Sequence, residues 1–161
     1  MVRLFKMAKD TIVCSNYDFT GTELADIVKP YVILHRKGLK IGVFGLAPQL
    51  AGLVIEKNYG CIQYLDPIQK ANEMTEILKK KEKCDVIICI SHLGWNIDCT
   101  DDTEVIAASR NIDLVLGGHS HSLFQPLKYR TDLDGKQVPV DQNGKGAIWV
   151  GKMTLDIVKN K

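Results

Sequence analysis

Apolar and polar positions change rhythm several times along the chain, and each change marks an element. Val2, Phe5 and Met7 or Ala8 recur at helical spacing, so residues 2–9 read as the end of an amphipathic helix. "TIVCSN" (11–16) is a short β-branched strand. Two apolar runs, 31–36 and 39–46, flank Lys37–Gly38 and predict a hairpin. Gly42 and Gly45 in its second strand predict a close backbone approach or a bulge. Asp66–Pro67 then opens a helix, with a carboxylate at the N-cap and proline at the first helical position. Ile68, Ala71, Met74 or Thr75, and Leu78 line one face of it, and Lys79, Lys80 and Lys81 crowd a solvated last turn.

"DVIICISH" (85–92) is a continuous apolar run, the pattern of a strand covered on both faces. "DDTEVIAASRN" follows as a helix, with Asp101 as N-cap and Glu104 three residues on, a capping-box pattern. "IDLVLGGHSH" is a second apolar strand, so residues 85–121 form a strand–helix–strand unit with parallel strands. Residues 126–158 read as a β-meander, with turn signals at Asp134–Gly135 and Asn143–Gly144. The fold class is therefore α/β, a mixed sheet with a βαβ unit and a C-terminal meander.

At 161 residues, without repeats or low-complexity tracts, the chain reads as one domain, 1–161. A formal net charge of +2 gives no electrostatic case for a nucleic-acid polymer or an anionic membrane surface. No apolar run approaches the roughly 20 residues a spanning helix needs. "MVRLFKMAKD" is too charged for a signal peptide, so any export signal lies outside this chain. Five cysteines without a CxxC pair argue against a disulfide framework or a zinc knuckle, and leave the compartment open.

Chemistry concentrates at two strand ends. In parallel α/β sheets ligands collect beyond the carboxyl ends of the strands. His92 stands at one such end; His119 and His121 stand at the other. Gly94, Gly117 and Gly118 let the backbone turn sharply there. Clustered imidazoles suit transition metals, so His92, His119 and His121 are the candidate metal ligands. The serine between the last two lets them serve different sites, and paired metals about 3.5–4 Å apart are a clamp for phosphoester cleavage. Asp98, Asp101 and Asp102 lie near His92 in sequence, but helix capping explains them better. His35 reads as a sheet-surface residue, and Trp95 and Trp149 as core or rim packing.

"ISHLG", the acidic-capped helix and "IDLVLGGHSH", together with "TIVCSN", "KPYVILHRKGLKIGVFGL" and "DQNGKGAIWVGKMTLDI", resemble in order and spacing a calcineurin-like metallophosphoesterase. Within that family the likeness is to the 5′-nucleotidase group, with UDP-sugar hydrolases and 2′,3′-cyclic-nucleotide phosphodiesterases. The resemblance implies an α/β/β/α metallophosphatase sandwich, of which this chain would be a part. It also implies a pair of divalent metals (Mn, Zn, Fe or Co), with His92 and His119 on one and His121 on the other. The family's Asp-x-His, Gly-Asp and Gly-Asn-His-Glu/Asp segments have no match in residues 1–30. The family's catalytic histidine lies in those segments, so no catalytic residue is assigned here.

The expectation is thus the C-terminal half of a metallophosphatase domain, from an enzyme hydrolysing nucleotides or related phosphate esters. Such a chain would bind at most one metal and be inactive alone. The alternative is a non-catalytic module that associates with itself through sheet surface left uncovered. Family members are often periplasmic or extracellular, which the resemblance implies without fixing the compartment here.

Overall fold

The computed structural model describes residues 2–8 and 11–158. Helix α1 spans Val2–Met7, and position 9, where the predicted helix ends, lies outside the described residues. Strands β1 (Ile12–Val13), β2 (Tyr17–Asp18) and β3 (Val28–Lys29) are two residues each, so "TIVCSN" is only partly extended. β4 (Tyr31–Arg36) and β5 (Leu39–Leu46) form the predicted hairpin, with Lys37 and Gly38 at φ 49° and 76° in its turn. A left-handed pair closes a tight hairpin with the twist its strands require.

β6 (Gln63–Tyr64) pairs antiparallel with β2, and β1 pairs in parallel with β3. Helix α2 (Pro67–Glu76) is capped as predicted: the Gln69 N–H donates to the Asp66 carboxylate at 2.9 Å. It continues into a wider π-turn, Ile77–Lys81, whose three lysines are exposed. β7 (Val86–Ser91), α3 (Asp102–Ala107) and β8 (Leu114–Leu116) make the strand–helix–strand unit. β9 (Lys128–Thr131) and β10 (Gln137–Asp141) complete the set.

Six strands join one mixed sheet in the order β4-β5-β7-β8-β10-β9. The central strands β5, β7, β8 and β10 are mutually parallel, and the two outer pairings are antiparallel. The carboxyl ends of all four central strands therefore share one rim of the sheet. On the helix-covered face Phe44, Ile87, Cys89 and Val115 pack with Ala71, Met74, Leu78 and Ile106.

The opposite face corrects one expectation. Ile90, Leu116 and Leu34 are 47%, 37% and 37% exposed, so β7 is not covered on both sides. A continuous apolar run reports that a strand can be buried twice, not that this chain supplies both covers. β1 and part of the tail lie against that face. Val13 crosses Gly45 so closely that the glycine's missing side chain is what admits it. The predicted meander is also partly corrected: β9 and β10 form a hairpin, whereas residues 144–158 have no strand. No helix among the described residues is long and apolar enough to cross a membrane.

Candidate functional site

Each of the four parallel strands ends by delivering a turn to the same rim. β7 ends at Ser91, and the His92 N–H donates to the Leu46 carbonyl at 2.9 Å, which pins the histidine beside the end of β5. β8 ends at Leu116, and the Gly117 N–H donates to the Asp141 carbonyl at 2.8 Å, which ties the next turn to β10. That turn carries His119 and His121, both left-handed at φ 74° and 55°. Non-glycine residues seldom adopt that conformation, and histidine is among those that do so most readily.

The structure brings His92 and His119 into contact, their ring centroids 5.2 Å apart and their planes at 69°. Two glycines permit this. A side chain on Gly118 would stand 2.9 Å from His92 Nδ1. A side chain on Gly94, at φ +98°, would meet Ile97 at 2.7 Å and His119 Cδ2 at 3.4 Å. His121 is exposed and makes no ring contact with the pair, yet its charge still reaches His92. The pKa of His92 is held below the usual histidine value, first by partial burial and then by the charges of His119 and His121. A lowered pKa favours the neutral imidazole, the form that can ligate a metal.

In type, these donors fit a divalent metal. In number they do not complete a site: among the described residues no group of three or more His, Cys, Asp and Glu side chains is spaced to hold one. The three nearby aspartates take separate roles. Asp98 is exposed. Asp101 caps α3, accepting from the Thr103 and Glu104 N–H groups at 2.8 and 3.2 Å. Asp102 corrects the capping expectation: it is buried, and its carboxylate accepts the Ser91 hydroxyl. Burial is the main cause raising its pKa to about 7, opposed by the Ser91 hydrogen bond. The signal for this second role was a polar residue, Ser91, closing an otherwise apolar strand.

His35 lies exposed on β4, away from the rim. Trp95 packs edge-on against Phe124 at 5.6 Å, flanking the histidine turn, whereas Trp149 is 54% exposed and belongs to the rim rather than the core. The five cysteines are free thiols, and Cys89 is buried within the sheet core.

No family model matches the chain. Individual proteins do. It is 32% identical over 176 residues to the apyrase of Tabanus yao, across 99% of this chain and 31% of that protein. It superposes on the 5′-nucleotidase precursor of Thermus thermophilus with a TM-score of 0.77 at 24% identity, over 88% of this chain and 29% of that one. It also superposes on the calcineurin-like phosphoesterase YfkN of Bacillus subtilis, with a TM-score of 0.62 at 27% identity, over 76% of this chain and 40% of that one. The chain spans less than a third of the length of the apyrase it matches.

Proposed function

We propose, for a chain that belongs to the 5′-nucleotidase group of calcineurin-like phosphoesterases, that His92, His119 and His121 are metal ligands of a centre hydrolysing nucleotides or related phosphate esters. What supports this is the meeting of His92 and His119 at the carboxyl-end rim, with the His92 pKa held below the usual histidine value. In this reading His92 and His119 face one metal and His121 a second. A divalent metal pair supplies positive charge to neutralise a phosphoester's developing negative charge. The chain's own part is narrower: it holds the His92 and His119 imidazoles against each other at the rim of the sheet.

Among the described residues, no group of three or more His, Cys, Asp and Glu side chains is placed to hold a metal, so a paired centre needs further ligands. The chain alone is therefore proposed to be the C-terminal half of the catalytic domain, inert by itself and binding at most one metal. Cobalt(II) titrated into the full chain is expected to bind one ion, with binding lost in His92→Ala and His119→Ala. Joined to a complementary segment bearing carboxylate ligands, the chain is expected to hydrolyse AMP or a chromogenic phosphate ester with Mn²⁺ or Zn²⁺. A folded joined protein inert across a phosphoester panel sinks the enzymatic reading.

One observation favours a second property of the isolated chain. Val32, Leu34, Val43, Ile88, Ile90 and Leu116 line an open groove on the sheet face away from the helices, with Thr11 and Arg36 as its polar members. Contiguous apolar surface of this kind drives association. The isolated chain is proposed to form a homo-oligomer through it. Sedimentation showing a monomer at high concentration removes that proposal.

A further inference from the structure

The two histidine-bearing segments are tied together from beneath by residues that no ligand role accounts for. Ser91, just before His92, donates its hydroxyl to Asp102 Oδ1. Ser120, between His119 and His121, donates to Gln142 Oε1 at 2.8 Å and lies 3.1 Å from the Ser122 hydroxyl. Asp102 and Gln142 are 2% and 1% exposed. Each has one satisfied polar atom and one orphan. Among the described residues, Asp102 Oδ2 and Gln142 Nε2 are the buried side-chain polar atoms without a partner.

A buried orphan costs roughly 1–3 kcal/mol, so two in one protein call for an explanation. These two face one point. The position a Gly117 Cβ would occupy is 2.8 Å from Asp102 Oδ2 and 3.0 Å from Gln142 Nε2. One atom is an acceptor and the other a donor, so their chemistry is complementary.

We propose that Asp102 and Gln142 are each other's partners, joined directly or through one water beneath Gly117, and that this pair positions the His92 strand end against the His119–His121 turn. The chain of groups runs Ser91–Asp102–Gln142–Ser120, from the residue before one histidine to the residue between the other two. Both are positioning residues, acting on the imidazoles through the serines. Gly117 is glycine because any side chain there would occupy the place where the pair meets. The pair stands on its own geometry; only its purpose rests on the metal-ligand reading.

A reciprocal exchange of near-isosteric side chains in the full chain tests this. Above neutral pH, Gln142→Glu places two carboxylates against each other, and amide exchange at Gly117 and Ser120 is expected to accelerate roughly tenfold or more. Asp102→Asn alone is expected to be mild, because Gln142 turns its amide over and Ser120 accepts. The double variant Asp102→Asn/Gln142→Glu restores a carboxylate–amide pair with its polarity reversed. It is expected to return exchange to near the wild-type rate, even if Gln142→Glu alone does not fold. A volume or packing role would not show this rescue, since all four proteins have nearly the same shape. Failure of Asp102→Asn to rescue Gln142→Glu overturns the proposal, as does slow exchange in Gln142→Glu itself. Cobalt(II) binding, measured on the same four proteins, separates the two ideas. Rescue of exchange in a chain that binds no cobalt upholds the pair and removes the metal-ligand reading; cobalt binding without rescue does the reverse.

Discussion

Gly45→Ala isolates the contact that docks the N-terminal strand onto the sheet. Gly45 lies in β5, opposite Ile90, and accepts the Ser15 N–H through its carbonyl at 2.8 Å. A methyl group built there would run into the Val13 carbonyl, whose carbon is 3.0 Å away, and would stand 3.3 Å from the Val13 side-chain Cγ2. Backbone cannot rotate aside as a side chain can, so β1 must move off. Over-packing of this kind costs about 1–3 kcal/mol, and a weakened Ser15–Gly45 hydrogen bond adds about 1 kcal/mol. Alanine recovers roughly 0.4–1 kcal/mol by narrowing the unfolded ensemble. The net expectation is a loss of about 1–3.5 kcal/mol, which lowers the urea midpoint by about 1 M at an ordinary slope. Gly42→Ala is the control. Its methyl would meet Leu78 Cδ2 at 2.8 Å and Cys84 Sγ at 3.0 Å, both side-chain atoms. A rotamer adjustment there costs about 1 kcal/mol. A Gly45→Ala midpoint equal to wild type, with the Ser15 amide still protected from exchange, would refute the reasoning.

Three further outcomes are expected. Because burial raises the Asp102 pKa from 3.8 to about 7, the folded state keeps a proton that the unfolded state has released between those values. Stability from this group therefore falls as pH rises across that window, by up to roughly 4 kcal/mol, and stability–pH curves of wild type and Asp102→Asn that run parallel would refute it. Asp66→Ala removes the cap on α2 and is expected to cost about 1 kcal/mol by urea unfolding, with far-UV circular dichroism of the folded state nearly unchanged. Leu78, fully buried on the π-turn against β5, is expected to cost about 2–5 kcal/mol when changed to alanine, and a thermal midpoint within error of wild type would contradict its place in the core.

Elements set by neighbours in sequence were legible. The Lys37–Gly38 hairpin and the caps at Asp66 and Asp101 depend on backbone groups a few residues away, so their residue types announce them. The rim at which His92 and His119 meet was also legible, because parallel strands with a crossover helix leave their carboxyl ends on one side. What failed depended on distant chain. Nothing in "DVIICISH" distinguishes the face toward α2 from the face left open at Ile88 and Ile90, since both are apolar. Asp101 and Asp102 are adjacent carboxylates at one helix start, and only the fold turns the second inward to Ser91. The left-handed backbone at His119 and His121 is only weakly marked by residue type, since the neighbouring glycines advertise flexibility at 117 and 118 instead.

The sheet's two outer strands have unequal consequences for growth of the sheet by addition. β9 presents Lys128 and Arg130, and all four of its residues are exposed, so an incoming strand on that side must lie beside two cations. β4 has its charge at one end only, with Tyr31, Val32 and Ile33 uncharged over its first half. Edge charge is what discourages strand-to-strand aggregation. A lysine placed at Val32 or Leu34 is therefore the change to make for handling this chain at high concentration. A further charge on β9 adds little.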